Sequence, residues 1–294
     1  MANLEHLARL EQGAERWNRW RAEQTQSEID LTGVDLSGMQ LAGIDLSGAD
    51  LSRSCLYKTN LTNANLTRSR LNDATLSGAK LVNATLSQAE LINAILATAE
   101  LDGAILREAV LIGADLKVVS LQQADLSHAN LSASELRGAN LREADLDKAD
   151  LSRANLSEAM LIGANLGMAT LDRANLYQAE FSQAQLYCAN LYQASLVDAH
   201  FVATNLFGAN LTQANLLRAN FSWSQLSQTN FSEAEMEAVN LRGATCRRAD
   251  FSRANLFAAN LRGANLKQAV LVGAILTQAD LSEIDLTQVD FWGP

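Results

Sequence analysis

The sequence predicts an all-β solenoid, a stack of coils wound from five-residue units behind a short helical cap. Three observations carry that prediction. A large or apolar residue falls on every position ending in 1 or 6 from Leu31 to Phe291, 53 consecutive times without an insertion. Two places earlier the residue is Ala in 38 of those units. Pro294 is the only proline and aromatic residues make up 5% of the chain, so loop punctuation and an ordinary aromatic core are both scarce.

Residues 1–28 are the expected cap. Leu4, Leu7, Leu10, Ala14, Trp17 and Trp20 recur at three- and four-residue spacing, the pattern of an amphipathic helix, with Gly13 as a kink. Their apolar side is expected to cover the open edge of the first coil. The segment MANLEHLARLEQGAERWNRWRAEQ carries charges throughout, so it does not read as a secretory signal. No run of about 18 apolar residues occurs, which leaves no expected membrane span and points to the cytoplasm.

Residues 29–294 are the expected repeat domain. The central residue is Leu in 45 units; the exceptions are Phe181, Phe201, Phe221, Phe231, Phe251, Phe291, Met236 and Cys246. A unit reads Ala, Asp or Asn, Leu, then two mostly polar residues, as in Ala139-Asn140-Leu141-Arg142-Glu143. On an α-helix five residues advance about 500°, so the leucines would spiral over every face. On an unbroken strand an odd period sends successive leucines to opposite faces. The pattern closes when three residues are extended, with Ala and Leu inward, and the next two turn a corner. Backbone groups then pair with the coils above and below, leaving edges only at the ends.

At the ends the small inward residue becomes large: Ile29, Val34, Met39 and Ile44 at the start, Ile284 and Val289 at the finish. These are expected to plug the stack. Phe291, Trp292 and Pro294 either blunt the last edge or leave it to pair with a second copy, so both a monomer and a dimer through the C-terminal end stay open.

The A(D/N)LXX pattern over residues 29–293 resembles the pentapeptide-repeat proteins. That resemblance implies a right-handed quadrilateral parallel β-helix with four repeats per coil, about 13 coils, and a rod on the order of 60 Å long. The leader GAERWNRWR, Gly13 to Arg21, resembles the segment that precedes the repeats in cyanobacterial members, which implies a cyanobacterial origin. With four repeats per coil, residues 20 apart stack, and every candidate site can be placed on that map.

No catalytic arrangement emerges. Cys55, Cys188 and Cys246 are too scattered for disulfides or a zinc spacing, and His6, His128 and His200 form no cluster and read as isolated surface residues, so neither a metal nor another cofactor is expected. Asp125 with Asp145, and Asp115 with Glu135, stack as carboxylate pairs, but acidic and amide residues belong to the repeat at that position. No phosphate loop, nucleophile elbow or HExxH occurs. The net charge of -10 argues against direct nucleic-acid binding, which rests on clustered cations. Ladders such as Asn190, Asn210, Asn230 and Asn220, Asn240, Asn260 read as structural amide stacks.

Apolar residues at outward positions are more informative, because the repeat does not require them. Tyr177, Val197, Leu217 and Phe257 share one column and Tyr187 and Phe207 another, with Tyr192, Val202 and Trp223 between. Such a girdle is a candidate protein interface. Charge is segregated too: Glu100 to Glu158 holds 11 acids and 6 bases, whereas Arg242, Arg247, Arg248, Arg253, Arg262 and Lys267 form a basic band that contains one acid, Asp250. The function expected is a non-catalytic scaffold that presents a rigid surface to a protein partner the sequence does not identify. The resemblance also implies an alternative, since some members mimic DNA and protect or regulate type II topoisomerases. Those members favour Phe at the centre and project loops, unlike this chain.

Overall fold

The structure is a computed structural model that describes residues 3–23 and 28–292. It resolves into two compact units, Met1–Asp145 and Leu146–Pro294. In both, parallel bridges join residue i to residue i+20, as in Asp30↔Asp50 and Asn190↔Asn210, so each coil takes four pentapeptides.

The repeat consensus follows from backbone hydrogen bonding. In residues 211–215 the Leu211 N–H donates to Asn230 O of the next coil (2.7 Å), and the Gln213 N–H to Ser232 O (3.0 Å). The Ala214 N–H closes the turn onto Leu211 O (3.1 Å), and the Asn215 N–H donates back to Ala194 O (2.9 Å). The remaining N–H, of Thr212, is taken by the Asn210 side chain at 3.1 Å. Asp or Asn before the centre is therefore a local cap for the turn, and each N–H of the unit has an acceptor.

Turning the corner takes a left-handed residue in every unit. From Gly33 to Glu283 the second turn residue has positive φ, and most of these positions are not glycine: Arg153 sits at φ 58° and Trp223 at 63°. L-residues resist that region by about 1 kcal/mol or more. The cost is offset because the same N–H joins the next coil, as Arg153 N does to Asp172 O at 2.9 Å.

Unit 1 begins with the cap, which is two helices, α1 (Leu4–Leu10) and α2 (Ala14–Glu23), separated at Gly13 with φ 94°. Trp17 is wholly buried and donates from Nε1 to Asp45 O at 2.7 Å. Asn18 accepts from the Asp45 N–H (2.8 Å) and donates to Gly43 O (2.8 Å), while Arg21 donates to Ser47 O (2.6 Å). The α1 end binds the same coil at Asp30: the Asn3 N–H donates to Asp30 O, and the Asp30 N–H to His6 Nδ1. The cap thus supplies partners for groups that a preceding coil would otherwise meet.

Three expectations for the cap are corrected. Leu4 is 76% exposed rather than packed on the coil. At about 100° per residue, the buried direction set by His6 and Leu10 lies well over 100° from Leu4, and Leu7 is only half-buried. His6, expected to be an isolated surface residue, is buried because docking aims it at Asp30.

Inside the coils, Leu and Ala fill the core of both units. Ser or Thr in the Ala position keeps its hydroxyl satisfied, as Thr59 does by donating to Leu36 O (2.8 Å). In unit 2, Phe181, Phe201 and Phe221 stack 4.6 Å apart and nearly parallel, and Phe231 stacks on Phe251 at 5.0 Å. The last coil is looser. Ile284 and Val289 stay half-exposed instead of plugging it, Asp285 has no bridge to Asn265, and Trp292 points into solvent. Pro294, expected to help blunt the edge, lies outside the described residues.

Candidate protein-interaction surface

Because turns fall at residues ending in 2–3 and 7–8, each coil has four sides and four corners. In unit 2 one side runs through the bridged residues Asn165, Gln185, Asn205, Gln225, Thr245 and Asn265, all uncharged. The other three sides carry Asp150, Asp250 and Asp290; Glu235; and Glu180 and Asp280. The corners flanking the uncharged side also lack carboxylates from Ile162 to Gln268.

The expected girdle divides on this frame. Tyr177, Val197, Leu217 and Phe257 line one corner, while Tyr187 and Phe207 line the corner ten residues on, two sides away and therefore opposite. No single flat partner spans both. Val202 and Trp223 occupy the other corner of the uncharged side, and Tyr192 stands apart with its hydroxyl on Gln213 Oε1 at 3.0 Å. Exposure differs as well. Trp223 is 61% exposed, Phe207 43% and Tyr177 39%, and the other six are half-buried.

Two of these rings lie flat along the stack because a glycine makes room. A Cβ on Gly167 would sit 2.3 Å from the Tyr187 ring, and one on Gly243 would sit 2.4 Å from the Trp223 indole. Lying across Gly167 lets the Tyr187 hydroxyl donate to Asp147 at 3.1 Å, two coils away. The sequence does hold this signal, a glycine 20 residues from an aromatic, but only once four repeats per coil are established.

The basic band divides too. Arg242, Arg247, Arg248, Arg262 and Lys267 all flank the uncharged side, while Arg253 is on the opposite corner facing Glu233 at 3.6 Å. Arg262 pairs with Glu283 at 2.7 Å, and Arg248 donates to Gln268 at 3.0 Å. Arg242, Arg247 and Lys267 form no salt bridge among the described residues.

Elsewhere the polar groups are occupied with one another. Asn210 donates to Asn190 (2.9 Å) and Asn240 to Asn220 (3.1 Å); Asn230 and Asn260 continue those ladders through backbone bridges. In unit 1 the carboxylate pairs do bridge, Asp125 with Asp145 and Asp115 with Glu135. Partial burial acts to raise the Asp125 pKa, but hydrogen bonds from Ser127 and Arg107 outweigh it and hold the group below the usual carboxylate range. A general acid needs the opposite shift. Among the described residues no cluster of three His, Cys, Asp or Glu is placed to hold a metal, and no helix is long and apolar enough to cross a membrane.

Comparison with known proteins agrees with this architecture. The family described as Pentapeptide repeats (8 copies) matches overlapping segments between residues 29 and 293. Among solved structures, HetL, a pentapeptide repeat protein involved in heterocyst differentiation regulation from the cyanobacterium Nostoc sp. strain PCC 7120, is 32% identical over 94% of this chain and 96% of its own, with a TM-score of 0.29. Rfr23 from the cyanobacterium Cyanothece 51142 is 31% identical over 33% of this chain and 63% of its own, TM-score 0.19. QnrB1, a plasmid-mediated fluoroquinolone resistance protein, is 20% identical over 55% of this chain and 88% of its own, TM-score 0.33. The curated proteins give no match.

Proposed function

We propose that this chain, which belongs to the pentapeptide repeat family, is a non-catalytic scaffold that binds a protein partner through the outward sides of its coils. The observation that carries the reading is how completely the repeat uses its own groups. Backbone donors go to the neighbouring coil, the turn or the Asp/Asn side chain, and Leu and Ala are spent on the core. Outward side chains are left to meet other molecules. Surface depressions of about 240 to 470 Å³ open to solvent and are lined by residues of the turns and outward sides.

Residues 1–28 serve as the cap and 29–294 as the repeat domain, wound in the right-handed sense of the family as about 13 coils. Cyanobacterial origin and a cytoplasmic site of action complete the reading. A pull-down from cyanobacterial lysate tests it, with wild type beside a variant carrying Tyr177→Ser, Tyr187→Ser, Phe207→Ser and Leu217→Ser, both checked for folding by circular dichroism. A protein held by wild type and lost by the folded variant supports the scaffold; the absence of any specifically held protein contradicts it. A second reading, regulation of a type II topoisomerase by mimicry of DNA, is favoured by the net charge of -10. Topoisomerase subunits held equally by both chains would establish it instead.

A further inference from the structure

We propose that the carboxylate-free side of unit 2, from Ile162 to Gln268, docks an acidic protein segment that also carries apolar side chains. The proposal rests on the scaffold reading and assigns it a surface and a partner chemistry.

The charge pattern sets this side apart. Acids outnumber bases in the chain, 33 to 23, and over the same span each other side carries a carboxylate, Asp250, Glu235 or Glu180, whereas along this side carboxylates resume only at Glu283 and Asp285. Nothing in the repeat excludes acids from outward positions, so their absence along this side and both its corners is not a requirement of the fold.

The cations of this side stack on one another. Elsewhere the chain sets cations one coil from carboxylates, as in Arg70 with Asp50 (2.8 Å) and Arg218 with Asp198 (2.7 Å), although carboxylates also stack on each other, as Asp125 does on Asp145. Here Arg247 stacks in register with Lys267, cation on cation at a coil spacing of about 4.8 Å, and Arg242 stacks on Arg262, whose charge Glu283 offsets at 2.7 Å. Such pairs are destabilising across neighbouring strands. A carboxylate-bearing partner relieves that repulsion, and charge complementarity of this kind also steers encounter.

The other half of this side is apolar. Phe207 and Trp223 stand at opposite corners of the same side, Trp223 one coil and Phe207 two coils from the cations, and Trp223 and Tyr187 are held flat over Gly243 and Gly167. Rings held in this way lose little freedom on binding, which is why such residues anchor interfaces. Between the two halves, Ser227, Gln228, Arg247 and Arg248 line a depression of about 240 Å³. A nucleic acid suits this surface less well: the cations span only two coils, about 10 Å of the stack, and meet few phosphates, while the chain as a whole repels them.

The test uses the full chain and three labelled probes in fluorescence anisotropy: a 12-residue peptide of alternating Glu and Phe, its counterpart with Lys for Glu, and a DNA duplex. The acidic peptide is expected to bind wild type and to weaken as salt rises from about 50 to about 500 mM. Affinity should fall at least about tenfold in Arg242→Glu/Arg247→Glu/Lys267→Glu and in Phe207→Ser/Trp223→Ser. Tyr177→Ser/Leu217→Ser, on the opposite corner, should leave it unchanged. Should a charge-reversed chain fold poorly, Arg242→Gln/Arg247→Gln/Lys267→Gln is expected to fall in the same direction. Equal binding of the Lys peptide, indifference to these variants, or tighter binding of the duplex overturns the proposal. A lysate partner held equally by wild type and both face variants also overturns it while leaving the scaffold standing; no partner at all contradicts the scaffold.

Discussion

Replacing Trp17 removes the residue that closes the first coil, and the structure fixes how much stability should go with it. The indole is wholly buried, and its Nε1 is the donor to Asp45 O at 2.7 Å. Truncating a buried Trp to Ala costs about 3–5 kcal/mol. The vacated space admits water to the Asp45 carbonyl, so no separate penalty is added for it. Trp17→Phe keeps most of the packing but strips the donor while still excluding water, and it should cost about 1–2 kcal/mol. Equilibrium urea unfolding followed by circular dichroism reads both values. Because coils are stabilised by their neighbours, the loss should begin at the cap end. Hydrogen exchange should therefore quicken in Trp17→Ala at Leu31, Gly33 and Leu36, which donate into the second coil, before it changes at Leu211. A Trp17→Ala chain within about 0.5 kcal/mol of wild type, with unchanged exchange at Leu31, would refute the cap as a closing element.

Three further outcomes are expected. Gly167→Ala should lift the Tyr187 ring, break its bond to Asp147 and cost about 1–3 kcal/mol by urea unfolding; an unchanged midpoint would contradict the flat seating. Burial pushes the Cys246 thiol up to about 12, whereas Cys188 is exposed, so a disulfide reagent should label Cys188 in the native chain and reach Cys246 only after unfolding. Asp35, Asp280 and Asp285 are held below the usual carboxylate range, first by the hydroxyls of Ser37, Ser282 and Thr287 and then by the N–H groups of the same residues. Depressed carboxylates stabilise the fold above their unfolded pKa, near 4, and that contribution is lost as pH falls through the folded values. The urea midpoint should accordingly drop below about pH 4, and a midpoint that rises on acidification would show that the sign is wrong.

The core and the repeat were legible because one constraint recurs: an inward residue at each position ending in 1 or 6 leaves few ways to close the chain. Four repeats per coil came from resemblance, since parity alone does not count corners, and the bridges i to i+20 bear it out. The left-handed turn residues were hidden. Residues other than glycine occupy most of them, and only the hydrogen bonds to the next coil explain why. In the cap, helical spacing pointed to Leu4, but docking is decided by the polar edge of the first coil, which selects His6, Trp17 and Asn18. The surface was half legible. Both the aromatic residues and the basic band stand out in the sequence, yet only their placement on corners separates Tyr177 from Phe207, and Arg253 from Arg247.

Site-specific photocrosslinking locates the partner on the coils. A benzophenone amino acid at position 207 or 223 samples the carboxylate-free side, and one at position 177 or 257 samples the opposite corner. Crosslinks to one protein from 207 and 223, through segments rich in Asp and Glu, are the predicted result. Crosslinks that arise from 177 and 257 instead, or that reach segments without acidic residues, would contradict it.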